Sequence, residues 1–405
     1  MKRVIVCLCV LCMLMQMKPT EIQVHKKQYY STLWDEIQAE VITLQSKSAC
    51  VMEVSTGEIL FEKNADMKLR PASVTKVMTL LLIFDGIKEG TISYDDIVTV
   101  TEHAASMGGS QCFFETGEQQ TVRDMIKCIE IASGNDAAVA MAEHIAGSET
   151  AFVQMMNERA LELGMNNTHF ENACGLEAEG HLTSARDIAI MSRELLYNYP
   201  EIKEFSTIWM DSITHKTKRG ESRFDLANTN KFLNQYTGAT GLKTGYTSQA
   251  KYCMSASAER KGIELIAVVM GAETKDIRNS EAGKLLDYGF ARCEIYVDDL
   301  LLPDDLCFPV SRGRKESVSC VVYDSESFVL VDKNKSDIKK NIIPYDNITA
   351  PVKKGDIIGT IQYCLDETVI HEISIYAGED VDAVSYAGCL STIFQKLFMM
   401  TTTFD

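Results

Sequence analysis

Ser73 and Lys76 stand three residues apart at the opening of an apolar run, Val74 to Phe84. Residues three apart share one face of a helix, so the Ser73 hydroxyl and the Lys76 amine can come within hydrogen-bonding reach. A serine alcohol is a poor nucleophile until a base takes its proton. A lysine can be that base only where burial or a neighbouring cation lowers its pKa. The spacing therefore suits nucleophilic attack by Ser73 with Lys76 as base, although an ordinary helix start also accounts for a lone S-x-x-K.

Two further groupings carry possible chemistry. Ser133-Gly134-Asn135 lies between helical stretches, where Asn135 and Asp136 could simply cap the second helix. The functional alternative gives Ser133 a proton-relay role and Asn135 an amide that grips a substrate carbonyl. Lys243-Thr244-Gly245 follows Gly238 and Gly241, precedes Tyr246, and belongs on a strand edge. It would offer a cation and a hydroxyl to an anionic substrate end, with Gly245 allowing close backbone approach.

The elements that must position these residues are legible in outline. Residues 49–54 and 58–62 read as a hairpin around Ser55-Thr56-Gly57. A helix follows Pro71 with no breaker before Gly86, and residues 122–146 and 150–163 are further helical stretches. Ile263 to Gly271 reads as a central strand, which makes an α/β or α+β layered domain the expected fold. Near residue 292 the pattern becomes short strand-like runs at 317–323, 328–331, 357–363 and 369–375, a small all-β module. Leu390, Ile393, Phe394, Leu397 and Phe398 then form a helical stripe, which suits either docking or a membrane surface. Met1-Lys2-Arg3 followed by apolar Val4 to Met17 fits a secretory signal and is short for a membrane span. The expected divisions are a signal at 1–20, a catalytic domain at 45–291, a β domain at 292–380 and an amphipathic helix at 384–405.

Composition bounds the rest. The 405 residues are 46% hydrophobic, enough for buried cores, and 40 Lys plus Arg against 57 Asp plus Glu give a net charge of -17. That excess repels polyphosphate backbones, so nucleic acid is not an expected partner. The 13 cysteines fall well under the roughly 8–10% of a disulfide scaffold; three lie in the N-terminal apolar run, and the ten from Cys50 to Cys389 include no CxxC pair. No zinc site or redox motif is read, and most of these thiols are expected to be small buried hydrophobes.

The three groupings are 60 and 110 residues apart, and in order and flanks they resemble the active-site serine DD-peptidases, the low-molecular-mass penicillin-binding proteins. The flanks Arg70-Pro71-Ala72-Ser73-Val74-Thr75-Lys76-Val77-Met78-Thr79, Ile131-Ala132-Ser133-Gly134-Asn135-Asp136, His181-Leu182-Thr183-Ser184-Ala185-Arg186-Asp187 and Gly241-Leu242-Lys243-Thr244-Gly245-Tyr246-Thr247 look like the D-alanyl-D-alanine carboxypeptidases of peptidase family S11. The likeness spans about residues 48–290. A weaker one at Ala350-Pro351-Val352-Lys353-Lys354-Gly355-Asp356 looks like the family's C-terminal β domain, and the terminal stripe matches its membrane anchor.

The resemblance implies a serine DD-peptidase fold, related to the β-lactamases, with the small β domain after it. It implies that Ser73 attacks the penultimate D-alanine carbonyl of a peptidoglycan stem pentapeptide, that Lys76 accepts its proton, and that Ser133 relays a proton to the leaving amine. Asn135 would orient the peptide, while Lys243 and Thr244 bind the terminal carboxylate with help from Arg278, for which a surface salt bridge is an equal explanation. The backbone N–H groups of Ser73 and Tyr246 would form the oxyanion hole. Penicillins would acylate the same serine, no metal or organic cofactor is implied, and the enzyme would work outside the cytoplasmic membrane, at the cell wall.

Three positions depart from the family pattern: Tyr246 where some relatives have histidine, Lys251 where glycine is expected, and Cys112 in a segment that could pack near the cleft. The same machinery would serve a β-lactamase with Glu171 or Glu177 activating water, an endopeptidase acting on cross-links, or a non-catalytic penicillin sensor.

Overall fold

The computed structural model describes residues 42–385 apart from 219, 299–301, 304, 324–325, 334 and 366, together with 390, 393 and 394. The expected signal at 1–20 and most of the expected helix at 384–405 lie outside the described residues. The chain divides into two compact units, one running to Glu259 and including Glu264–Gly289, the other comprising Arg260–Ile263 and the residues from Phe290 onward.

The first unit is built on strands β1 (Ser48–Glu53), β2 (Ile59–Lys63), β3 (Ile97–Thr99), β4 (Gln119–Thr121), β5 (Met210–Thr217), β6 (Gly220–Ala227), β7 (Ala239–Thr247), β8 (Lys251–Arg260) and β9 (Ile263–Ala272). Five of them form the main sheet in the order β2-β1-β9-β8-β7. The run Ile263 to Gly271 is thus central, as its continuous apolar character predicts, and the strand carrying Lys243-Thr244-Gly245 is an edge. β3–β4 and β5–β6 are separate antiparallel pairs.

The helices are α1 (Lys76–Glu89), α2 (Glu102–Ala105), α3 (Val122–Glu130), α4 (Asn135–Ala146), α5 (Glu149–Glu162), α6 (Ala185–Asn198), α7 (Lys203–Ser206) and α8 (Lys275–Arg292). α1 is the core helix: every residue from Lys76 to Phe84 is buried, and α3, α4, α5 and α6 pack around it. A helix apolar on all sides is stable only when enclosed in this way. It continues through Gly86 and ends at Gly90. The helical stretch expected over 122–146 is two helices, parted by the turn Ile131–Gly134 in which Ser133 has φ +60°.

The second unit contains β10 (Cys293–Asp298), β11 (Cys307–Pro309), β12 (Ser317–Val321), β13 (Glu326–Val331), β14 (Ile338–Pro344), β15 (Ile357–Leu365) and β16 (Thr368–Ala377). β10 pairs with β13, and a five-stranded sheet runs β11-β12-β16-β15-β14. Val318, Ile361, Tyr363 and Ile375 are fully buried in its core, and the Tyr363 hydroxyl donates to Asp298 Oδ2 at 2.7 Å.

Candidate active site

Ser73 sits in a 3-10 turn, Ala72–Thr75, that leads into α1, so its side chain and that of Lys76 emerge on one face. Lys76 Nζ donates to Ser73 Oγ at 3.2 Å, to Asn135 Oδ1 at 2.6 Å and to the Cys174 carbonyl at 2.8 Å. The ammonium is enclosed in protein. Burial pushes it down to about 7, with the Lys243 cation adding to the effect and the Cys174 and Asp136 side chains opposing it. Both requirements for a lysine base are therefore present, reach and a lowered pKa.

The third ligand of Lys76 comes from the loop Asn172–Leu176. Asn172 Oδ1 accepts from the backbone N–H groups of Cys174, Gly175 and Leu176, and its Nδ2 donates to the Leu176 carbonyl. The amide thereby folds the loop so that the Cys174 carbonyl faces the lysine. Gly175, at φ +86°, lies so close to the Ser73 turn that a Cβ would stand 1.9 Å from the Ala72 oxygen. Beneath the turn, buried His181 receives the Glu171 N–H on Nδ1 at 3.0 Å, which leaves its Nε2 proton for Thr75 Oγ1 at 2.7 Å. Burial lowers His181 to about 4, so the ring is neutral and the tautomer is set by its partners.

Asn135 and Asp136 do not cap α4, whose N-cap is Gly134 without a side-chain bond. Asn135 instead bridges Lys76 and the Gly108 carbonyl, its Nδ2 donating to the latter at 2.6 Å. Asp136 accepts from the N–H groups of Cys112 and Phe114 and so ties residues 112–114 to the start of α4. Cys112 is fully buried, with its Sγ against Gly134. Ser133 is buried as well, and its Oγ has no hydrogen-bond partner.

On β7, Lys243 and Thr244 are buried and Tyr246 is 56% exposed. A Cβ on Gly245 would stand 2.7 Å from the Pro71 oxygen and 3.0 Å from Ser73 N, so only glycine lets this edge strand lie against the nucleophile's turn. The Tyr246 ring packs on Tyr252 at 4.4 Å between centroids. Burial holds Lys243 below the usual lysine range; the Glu130 carboxylate opposes this and the Arg278 guanidinium reinforces it.

Arg278 is not in a surface salt bridge. It is 4% exposed and donates to Asn279 Oδ1 and to the Cys253 carbonyl, with Tyr252 5.9 Å away, and burial lowers it to about 10. Lys251, where glycine was expected, keeps the backbone a glycine would adopt, with φ +59°. Glu177 accepts from the Gln249 N–H, and Glu171 lies beside His169, so neither carboxylate is bonded to Ser73 or Lys76.

Ser73, Lys76 and Asn135 are thus joined by hydrogen bonds, and Gly245 abuts the Ser73 backbone. Sequence reasoning did not foresee the bonding of Asn172 and His181 or the part played by the Cys174 carbonyl. An asparagine followed closely by glycine signals a turn, which was the available sign for Asn172.

A family model described as D-alanyl-D-alanine carboxypeptidase matches residues 35–274, and a model of the C-terminal domain of penicillin-binding protein 5 matches residues 307–383. The chain is 43% identical over 344 residues to the D-alanyl-D-alanine carboxypeptidase DacF of Bacillus subtilis, covering 84% of this chain and 87% of that one. It is 33% identical over 361 residues to DacC of Escherichia coli, covering 86% and 87%. The crystal structure of penicillin-binding protein 5 from Haemophilus influenzae matches with a TM-score of 0.66 at 32% identity, covering 84% of this chain and 98% of that one.

Proposed function

Since the chain belongs to the peptidase S11 family of D-alanyl-D-alanine carboxypeptidases, and is a serine-type enzyme of that activity, we propose the following roles for its residues. Lys76 takes the Ser73 proton as Ser73 Oγ attacks the carbonyl of the penultimate D-alanine. The N–H groups of Ser73 and Tyr246 hold the oxyanion, a contribution typically worth about 3–4 kcal/mol per donor. Ser133 passes a proton to the leaving amine, D-alanine departs, and water hydrolyses the acyl-enzyme. Asn135 orients the stem peptide, and Lys243, Thr244 and Arg278 receive its terminal carboxylate.

The observation that carries this reading is the buried Lys76 ammonium, 3.2 Å from Ser73 Oγ and lowered to about 7. An unpartnered Ser133 hydroxyl supports the relay, because a buried hydroxyl without a partner is costly unless a ligand completes it. The substrate is the peptidoglycan stem pentapeptide, and penicillins acylate the same serine. Ser73→Ala tests the assignment: it abolishes both D-alanine release and covalent penicillin labelling, and release surviving in that variant contradicts the nucleophile.

The enzyme is further proposed to be exported and held at the membrane surface through residues 384–405. The basic-then-apolar start supports export. For the anchor, Leu390, Ile393 and Phe394 of the apolar stripe are 44%, 56% and 57% exposed. Among the described residues no helix is long and apolar enough to cross a membrane. Removing residues 384–405 should release active enzyme from the membrane fraction; a truncated form that stays bound overturns the anchor.

A further inference from the structure

Arg278 and Asn279 are neighbours near the start of α8, and both are buried, at 4% and 7% exposed. A guanidinium enclosed in protein is costly unless its donors are met, and it carries five of them in a fixed planar fork. Asn279 Oδ1 accepts two, from Nε at 3.0 Å and from Nη2 at 2.9 Å. The Cys253 carbonyl accepts a third, from Nη1 at 3.5 Å. Every one of these acceptors is neutral, so no hydrogen-bonded carboxylate cancels the charge of Arg278.

The bonds also fix a direction. Nε and the adjoining hydrogen of Nη2 form the side-on edge of the fork, and the single Asn279 oxygen occupies it. What remains is the end-on edge, one N–H from each terminal nitrogen, a pair suited to grip a carboxylate with two parallel bonds. Cys253 stands opposite Gly245 in the β7–β8 register, and Arg278 Cζ lies 5.9 Å from the Tyr252 ring, which packs on Tyr246. The guanidinium is thereby held beside the Thr244-Gly245-Tyr246 segment of the edge strand.

Asn279 is itself oriented. Its Nδ2 donates to Gln235 Oε1 at 2.7 Å, just after the turn Lys231–Asn234. A guanidinium accepts no hydrogen bond and must face the amide oxygen, while Gln235 takes the NH2 end. A carboxylate in place of this amide would hold the fork at least as firmly, but it would cancel the charge on which a substrate carboxylate depends.

We infer that Asn279 is a positioning residue of this reaction: an uncharged acceptor held by Gln235, it occupies the side-on edge of the Arg278 guanidinium and leaves the end-on edge, still cationic, for the substrate's terminal carboxylate. This rests on the reading of Arg278 as part of the carboxylate clamp. Burial lowers Arg278 only to about 10, so the cation persists at neutral pH.

The test compares diacyl-L-Lys-D-Ala-D-Ala with the same peptide ending in a carboxamide. The first is read by its KM for D-alanine release, the second by its Ki as a competitor of that release. Asn279→Asp keeps the shape and the acceptor and adds a charge, and the exposed Gln235 can turn its own NH2 to the second oxygen. A part confined to packing α8 leaves KM at the wild-type value, because aspartate binds arginine at least as well as asparagine does. The positioning role raises KM about tenfold, the effect of one charge-assisted hydrogen bond, with the carboxamide Ki unchanged. A wild-type KM in Asn279→Asp, or equal losses on both peptides, overturns the proposal. Should that variant not fold, Gln235→Ala decides: freeing the amide raises KM about threefold for the carboxylate peptide alone, as for one neutral hydrogen bond, and an unchanged KM overturns the role. Arg278→Gln separates the two failures. A wild-type KM there overturns the clamp reading itself, whereas a selective rise there beside a wild-type Asn279→Asp removes only the role of Asn279.

Discussion

Gly245 meets the backbone of Ser73 so closely that a methyl group on the glycine would stand 3.0 Å from the serine nitrogen. The edge strand β7 and the turn before α1 are thereby fixed against each other at the point where two oxyanion donors are proposed. Gly245→Ala must push them apart. Misplacement on the order of 1 Å at a reacting centre costs about 10²-fold in rate. Acylation by a fluorescent penicillin and D-alanine release should both fall by about that factor, and a variant within threefold of wild type would count against the arrangement.

The acid limb of the pH profile should belong to Lys76. The amine is the base only when neutral, and burial brings it to about 7. Acylation should therefore rise with pH and level off above about 7. Lys76→Met should lose about 10²–10⁴-fold, the usual contribution of a positioned base. An acylation rate flat from pH 5 to 9 is incompatible with this role.

Asn172 offers a different kind of prediction, in which stability and activity fail together. Its Oδ1 accepts three backbone N–H groups. At about 0.5–1.5 kcal/mol net for each bond, Asn172→Ala should cost about 2–4 kcal/mol in denaturant unfolding. The Cys174 carbonyl also loses its support, so kcat should drop in the fraction that remains folded. An unchanged unfolding midpoint excludes the loop's dependence on this amide.

Lys251 holds φ +59°, a conformation that costs a side-chain-bearing residue about 1–2 kcal/mol. Glycine avoids that cost but orders a freer chain, at about 0.5–1 kcal/mol. Its ion pair with Glu273 is long, at 3.7 Å, and exposed, so it adds little. Lys251→Gly should then raise stability by about 0.5–1 kcal/mol, seen as a higher melting temperature; a lower one would show that the lysine side chain matters more than its backbone.

Much of this molecule was readable from short-range pattern. The hairpin β1–β2, the core helix α1 and the central strand β9 each announce themselves through apolar periodicity, which is set by residues close in sequence. The second unit was read as β-rich, yet β10, β11 and β14 went unseen because their residues are mostly exposed or half-buried and alternate weakly. The helices α6 and α8 also went unread, although Ser184, which accepts from Asp187 N, is a recognisable N-cap.

In the proposed site, motif order is what singles out Ser73, Lys76, Ser133, Asn135 and Lys243. The partners that tune them were hidden for a physical reason. Cys174 acts through its carbonyl, which every residue has, so no side-chain pattern marks it. Arg278 could be named but not characterised, since only the fold shows that it is buried rather than paired at the surface.

The most direct measurement is free D-alanine released from diacyl-L-Lys-D-Ala-D-Ala by the enzyme and by its Ser73→Ala variant. The account predicts steady release that disappears completely with the serine hydroxyl. No release from a wild-type protein that still forms a covalent penicillin adduct would contradict it, and would leave acylation without the turnover claimed here.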